Sequence, residues 1–297
     1  MVSLPELVRP HYPFESRWLD NAGLRQHYVD EGEGEPVLML HGNPTWSFYY
    51  RRLIGALRDR FRVIAPDHVG CGLSERPDDA AYPFSLRRRI DDVERLVDKL
   101  ALKGGLTLVL HDWGGMIGMG FAARRPDLIK RIVLMNTAAF RMPAGKRLPL
   151  SLKLCRRGPQ SALLVRGLNA FCIGAQLTCV GRGRLSAAER AGYLAPYDSW
   201  RARRAVHRFV QDIPLGPSDP SFSELVATER VLPVFRGTPM LILWGGKDFV
   251  FDDDFLAGWQ ERFPNAEVQR YADAGHYLLE DAWEDVVPRI RRFLESH

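Results

Sequence analysis

The stretch Leu106–Ala122, LTLVLHDWGGMIGMGFA, decides how the rest of the chain is read. Leu106–Leu110 is an apolar run of β-formers with the length of a strand buried on both faces. It leads directly into Asp112, and from Met116 to Arg125 the spacing is helical. Gly114 and Gly115 permit a tight strand-to-helix turn between the two. Asp ahead of a helix is an ordinary N-cap. The same geometry is that of a nucleophile elbow, which projects a side chain from the turn near the helix N-terminus. Ser is the usual occupant, and here the residue is Asp. Trp113 and the paired glycines favour the elbow.

Outward from this turn the chain alternates. Leu24–Asp30 reads as an edge strand, and Val37–Leu40 as a short apolar strand ending in His41-Gly42-Asn43-Pro44. Tyr49–Arg58 has helical spacing, and Arg62–Ala65 is another short strand, followed by Pro66-Asp67. Leu86–Leu102 predicts a helix, with Ser85 as its cap and Ile90, Val93, Leu96, Val97 and Leu100 along one side. Ile132–Met135, Met240–Trp244 and Glu267–Tyr271 predict strands, and Glu284–Glu295 an amphipathic closing helix. Short apolar strands between helices point to an α/β class with a mostly parallel sheet flanked by helices. No internal repeat is visible.

The alternation stops from Thr137 to about Pro214, a Leu/Ala/Arg-rich stretch of helical character. It predicts a helical cap over residues 137–213, inserted into a core of residues 1–136 and 214–297. Charge divides along the same line. Residues 137–213 hold 14 Lys and Arg against 3 Asp and Glu, or +11, while the remainder has 27 against 33, or −6. A solvated basic surface is the plain reading. A docking face for anionic lipid or an acidic partner is the sharper one. No nucleic-acid-binding motif accompanies the charge, so a nucleic-acid partner is not expected.

With 297 residues, 46% of them hydrophobic and 26% charged, the chain has the balance of a globular protein with a sizeable core, and disorder, collagen and coiled coil are excluded. No run of eighteen apolar residues suggests a membrane span, and residues 1–18 lack the apolar segment of a secretory signal. Cys71, Cys155, Cys172 and Cys179 lack metal-like spacing and are expected as reduced thiols in a cytoplasmic protein. No phosphate-binding glycine loop or cofactor motif is seen, and neither a cofactor nor a metal is expected.

Two further residues complete a catalytic set. Asp248 follows a late strand in LWGGKD, and His276 stands in AGH before the last helix. The order nucleophile, acid, histidine is that of the α/β-hydrolase fold, and His41-Gly42 falls where that fold places an oxyanion donor. Three such residues after three predicted strands outweigh the plain reading of a lone structural histidine.

The segments HGNPTWSFYYRRL, VLHDWGGMIG, LWGGKDFVF and DAGHYLLED resemble those of haloalkane dehalogenases, over nearly all the chain outside the cap. The resemblance implies Asp112 as nucleophile, His276 as base, and Asn43 with Trp113 as donors to the leaving anion. One dehalogenase subgroup carries its acid after the strand that here ends Leu134-Met135, but this chain has Asn136 there, which leaves the role to Asp248. Another subgroup with that acid position has Glu in place of Asn43. The combination found here is similar to the third subgroup, which includes the β-lactone decarboxylases of bacterial olefin biosynthesis. The cap stretches RGLNAFC and APYDSWRARRAVHRFVQDIPL resemble those decarboxylases. The implied reaction converts a long-chain cis-β-lactone into a cis-alkene and CO₂. The alternative is haloalkane hydrolysis to alcohol and halide, and a non-catalytic binding relative is the third reading, against which the intact set argues. The basic cap suggests association with other olefin-biosynthesis enzymes or a peripheral seat on an anionic membrane surface.

The chemistry suits the residues. A carboxylate is ionised without a base, and its attack on an sp³ carbon leaves an ester that can be resolved, where Ser would leave an inert ether. Trp46, Phe48, Tyr49, Phe140, Phe171, Trp200, Phe209 and Phe249 are candidates for an apolar pocket. Of these, Trp46, Phe140, Phe171, Trp200 and Phe249 are the lining residues expected, although aromatics more often simply fill cores.

Overall fold

The computed structural model describes residues 4–297. Eight strands form one sheet: β1 (Arg17–Asn21), β2 (Leu24–Glu31), β3 (Glu35–Leu40), β4 (Phe61–Pro66), β5 (Leu106–Asp112), β6 (Ile129–Thr137), β7 (Met240–Gly245) and β8 (Glu267–Tyr271). Their order is β1-β2-β4-β3-β5-β6-β7-β8. β1 and β2 pair antiparallel, as do β2 and β4, and every other pair is parallel. The edge is therefore β1, not the Leu24–Asp30 segment. Arg17–Asn21 is short and polar and alternates too weakly to announce itself.

The middle strands are apolar without interruption because helices cover both faces. Leu38, Leu40, Leu108, Leu110, Ile132 and Ile242 point to one side, toward the helices Leu86–Lys99 and Trp113–Arg124. Val37, Met39, Val109, Val133, Leu241 and Leu243 point to the other, toward Arg51–Leu57 and Trp283–Ser296. A period-two strand presents consecutive residues to opposite faces, so two cores require a continuous apolar run. Ser85 caps its helix as expected, accepting from the Arg88 N–H at 3.4 Å.

Among the described residues no strand lies between Thr137 and Met240. The helices Leu150–Arg156, Ala170–Thr178, Ala187–Leu194 and Arg204–Gln211 roof the C-terminal ends of the strands, and Phe222–Val231 returns to pack on the Trp113–Arg124 helix. The roof is fastened to the core by buried ion pairs. The Arg51 guanidinium binds Glu280 at 2.5 Å and Glu189 at 3.0 Å, and Glu189 closes a capping box with Ser186.

Trp46 and Trp200 do not line the cavity. Trp46 is buried in the core, stacked on Phe48, and donates its indole N–H to the Gly192 carbonyl at 3.0 Å, tying roof to core. Trp200 lies on the surface, 47% exposed, under the Arg166 guanidinium at 4.5 Å. An aromatic residue can satisfy its apolar face in any of these settings, and sequence does not distinguish them.

Candidate active site

The elbow is built by close approach. Pairing of β5 with β6 slips between His111 and Asp112, where the chain leaves the sheet. Asp112 adopts φ 52°, ψ −125°, in left-handed space that costs an ordinary residue about 1–3 kcal/mol and is retained at functional sites. The Thr137 hydroxyl holds the Asp112 carbonyl. A Cβ on Gly114 would be driven into the Leu40 carbonyl, and one on Gly42 into the Asp112 carboxylate. Gly114→Ala is therefore expected to destabilise by about 2–3 kcal/mol through backbone displacement and to misplace Asp112. Thermal unfolding alongside turnover checks this: an unshifted melting temperature with full activity would show that the turn has room.

Asp112 begins the helix but its side chain caps nothing. Its Oδ1 accepts the Asn43 backbone N–H at 2.6 Å, and its Oδ2 lies 3.6 Å from His276 Nε2. Burial pushes the Asp112 carboxyl above the usual carboxylate range, while the His276 charge and the N–H groups of Asn43 and Trp113 hold it down. Asp248 Oδ2 takes the other ring nitrogen of His276, Nδ1, at 2.6 Å. The second Asp248 oxygen accepts the backbone N–H groups of Val250 at 2.8 Å and Phe251 at 3.1 Å, so the acid is fixed before it orients the ring. Burial works against a charged His276, but attraction to Asp248 and Asp112 prevails and raises the imidazole above its ordinary value.

Three further residues support the site, of which His111 carries no signal in sequence. His111 packs its ring 4.5 Å from His276 and bonds the His276 carbonyl at 2.9 Å. Burial, with the His276 charge, pushes it well below the usual imidazole value, so it stays neutral and acts as a brace. Asn136 stands near the end of β6. It accepts the Gly245 N–H at 2.7 Å and donates to the carbonyls of Gly245 at 3.0 Å and Phe251 at 3.3 Å. It thus ties β6 to the loop that carries Asp248. His41 receives the His68 N–H at 3.0 Å and holds the strand end before Gly42.

An apolar cavity of about 390 Å³ opens above Asp112. Asn43, Trp113 and His276 share its floor. Of the expected aromatic residues, Phe140, Phe171 and Phe249 are on its wall. The rest of the wall is mostly apolar, including Met116, Leu152, Val210, Ile213, Leu225 and the further aromatic residues Phe251 and Phe255, with Lys146, Arg147, Ser151 and Thr178 as its polar members. The Trp113 ring is held edge-on by Phe209 at 5.1 Å, and the Arg89 guanidinium lies 3.5 Å behind the Phe209 ring. The Asn43 side-chain amide donates to the Val206 carbonyl at 3.1 Å, which fixes it against the roof, and leaves the second amide hydrogen for a ligand.

A floor carboxylate flanked by a backbone N–H and by a carboxylate-bound histidine, on this sheet order, is an arrangement for covalent catalysis. Residues 35–155 and 179–282 match the profile of the alpha/beta hydrolase fold family. The chain belongs to the alpha/beta hydrolase fold family. It is 51% identical to a protein of Shewanella oneidensis named cis-3-alkyl-4-alkyloxetan-2-one decarboxylase, over 95% of this chain and 89% of the relative. A protein of the same name in Xanthomonas campestris pv. campestris is 46% identical, over 98% and 99%. Haloalkane dehalogenase 2 of Mycobacterium bovis is 37% identical, over 94% of each chain. The crystal structure of the haloalkane dehalogenase DatA from Agrobacterium tumefaciens C58 superposes with a TM-score of 0.84 at 24% identity, covering 95% of this chain and 96% of that one, a likeness of fold.

Proposed function

We propose that this protein is a β-lactone decarboxylase that converts a cis-3-alkyl-4-alkyloxetan-2-one into a cis-alkene and CO₂, with Asp112 as nucleophile. The observation that carries the reading is the Asp112 carboxylate on the floor of an apolar cavity, in a chain 51% identical to a decarboxylase of that name. Asp112 attacks ring carbon C4. The C4–O bond breaks, an alkyl ester to Asp112 forms with inversion, and the ring oxygen leaves as part of a carboxylate. Asn43 and Trp113 donate hydrogen bonds to that carboxylate. The C3–carboxylate bond then breaks, CO₂ departs, its electron pair forms the C3–C4 double bond, and the C4–O bond to Asp112 breaks to restore the aspartate. Inversion followed by anti elimination keeps a cis lactone as a cis alkene. His276, charged between two carboxylates, stabilises Asp112 as it leaves, and no water enters the chemical step.

One observation favours a second reading. His276 bound to Asp248, with its free nitrogen beside Asp112, is also what hydrolysis of an Asp112 ester requires, as in haloalkane dehalogenation. Turnover in ¹⁸O-water separates the two. Halide displacement followed by hydrolysis leaves label on Asp112, visible in the peptide mass, and yields alcohol and halide. Decarboxylation yields alkene from a long-chain cis-β-lactone, and C4–O cleavage leaves Asp112 unlabelled. Attack at the lactone carbonyl would also admit label, so the products decide. Rapid halide release, with no alkene from the lactone, would overturn the proposal.

The pH profiles are expected to differ as well. Hydrolysis needs neutral His276, whose raised titration point means that the rate falls early as the pH drops from about 8 towards 5. Decarboxylation uses ionised Asp112 beside a charged His276 and holds its rate further into acid. Comparing kcat across that range for a lactone and for a haloalkane checks this; superimposable acid limbs would show that the two substrates share the need for neutral His276.

A further inference from the structure

The helices Leu150–Arg156 and Ala170–Thr178 each turn one face to the cavity, through Leu152 and Cys155 on the first and Phe171 and Ala175 on the second. Their opposite faces are also apolar. Leu150 is 70% exposed with Leu154 one turn on, and Leu177 is 70% exposed with Ile173 one turn before it. Leu163 and Leu168, in the connection between the two helices, are exposed too. Six of the thirteen exposed large hydrophobic residues among those described thus fall between residues 150 and 177. Single exposed leucines mean nothing, but a cluster in helical register does.

The position of this cluster gives it a direction. The wall residues that reach solvent, and so mark the opening of the cavity, are Arg147, Ser151, Ala170, Thr178 and Phe249. Leu150 adjoins Ser151, and Leu177 adjoins Thr178. Exposed apolar side chains therefore stand next to the mouth along both helices, with Arg147 and Lys153 exposed among them, while Arg157 is paired with Asp219. The surrounding cap segment carries +11 against −6 for the rest of the chain. Apolar residues that insert below the headgroups, with cations that meet anionic ones, make the signature of an interfacial surface.

We propose that the mouth of the cavity docks on a lipid bilayer bearing anionic headgroups, with the helices Leu150–Arg156 and Ala170–Thr178 laid in the interface, so that substrate enters from the membrane without crossing water. The purpose of the docking rests on the proposed lactone substrate, whose two long alkyl chains partition into a bilayer. Charge complementarity selects the anionic surface, and the location of the leucines selects the face.

The test is co-sedimentation of the full chain with vesicles of phosphatidylcholine alone or with added phosphatidylglycerol, at low and high salt. The expected result is binding at least an order of magnitude tighter to the anionic vesicles, lost at high salt. The double variants Leu150→Ser/Leu154→Ser and Ile173→Ser/Leu177→Ser keep the fold by circular dichroism and keep turnover of a detergent-dispersed substrate, while losing an order of magnitude in vesicle binding. Wild-type protein that stays in the supernatant with anionic vesicles overturns the proposal. So does binding that the serine variants leave unchanged, and so does binding only to an acidic protein partner. Sedimentation reads no chemistry, so the two readings fail separately: vesicle binding without alkene formation removes the lactone reading alone, and alkene formation without vesicle binding removes the docking.

Discussion

Replacing Asp112 by alanine is expected to abolish turnover, with kcat/KM reduced by about 10⁴-fold or more, while the protein stays folded. The attacking oxygen is lost, and nothing else on the cavity floor can replace it: Asn43 and Trp113 are donors, and His276 is committed to Asp248 through Nδ1. The fold survives because Asp112 contributes little to it. Its side chain caps no helix, its backbone is held through its carbonyl by Thr137, and its buried carboxylate is a burden that burial itself penalises. The melting temperature of Asp112→Ala is therefore expected to be unchanged or higher, the usual behaviour when a group placed for function is removed. Asp112→Asn is expected to fail equally, since it keeps the shape and loses the charged nucleophile. Turnover with the true substrate, beside a thermal melt, checks both. Near wild-type turnover in either variant would remove Asp112 from the mechanism.

Replacing Asp248 by alanine is expected to lower turnover by about 10³–10⁴-fold, the order seen when a triad histidine loses its carboxylate. Asp248 fixes which His276 nitrogen faces Asp112, and supplies the leading attraction that raises the imidazole. Without it the ring is free to turn, and only the weaker attraction to Asp112 remains to oppose burial, so its titration point falls. The contrast is Asn136→Ala. Asn136 makes three hydrogen bonds to Gly245 and Phe251, all buried, so its loss is expected to cost about 1–3 kcal/mol of stability. The loop holding Asp248 keeps its own bonds from Val250 and Phe251, and the loss in rate is expected to stay within about tenfold. Paired kinetics and unfolding of the two variants decide the assignment. A crippled Asn136→Ala beside a mild Asp248→Ala would move the acid to β6.

The elements that carry their own local signature are legible in the amino-acid sequence. Leu106–Leu110, Val37–Leu40 and Met240–Trp244 read as strands because a sheet covered on both faces needs continuous apolar runs. Asp112 and Asp248 are candidates because each follows such a strand, and His276 because it follows the polar edge strand β8, where a parallel sheet gathers its strand ends at one edge. Asn136 could be set aside as the acid from its residue type alone. What tertiary structure decided is everything that depends on contacts between residues distant in the chain. Asp112 has the sequence of an N-cap, and only the Asn43 N–H from another strand end shows that its carboxylate turns to the cavity. Trp46 and Trp200 are as aromatic as Phe140 and Phe249, yet one pins Gly192 and the other lies on the surface. β1 has no legible pattern because a polar edge strand is held by its ladder with β2. Asn136 proved to be a tie and His111 a brace because their partners lie more than a hundred residues on in sequence. Side-chain burial and hydrogen bonding are properties of neighbours in space, and a linear pattern records them only where secondary structure makes those neighbours periodic.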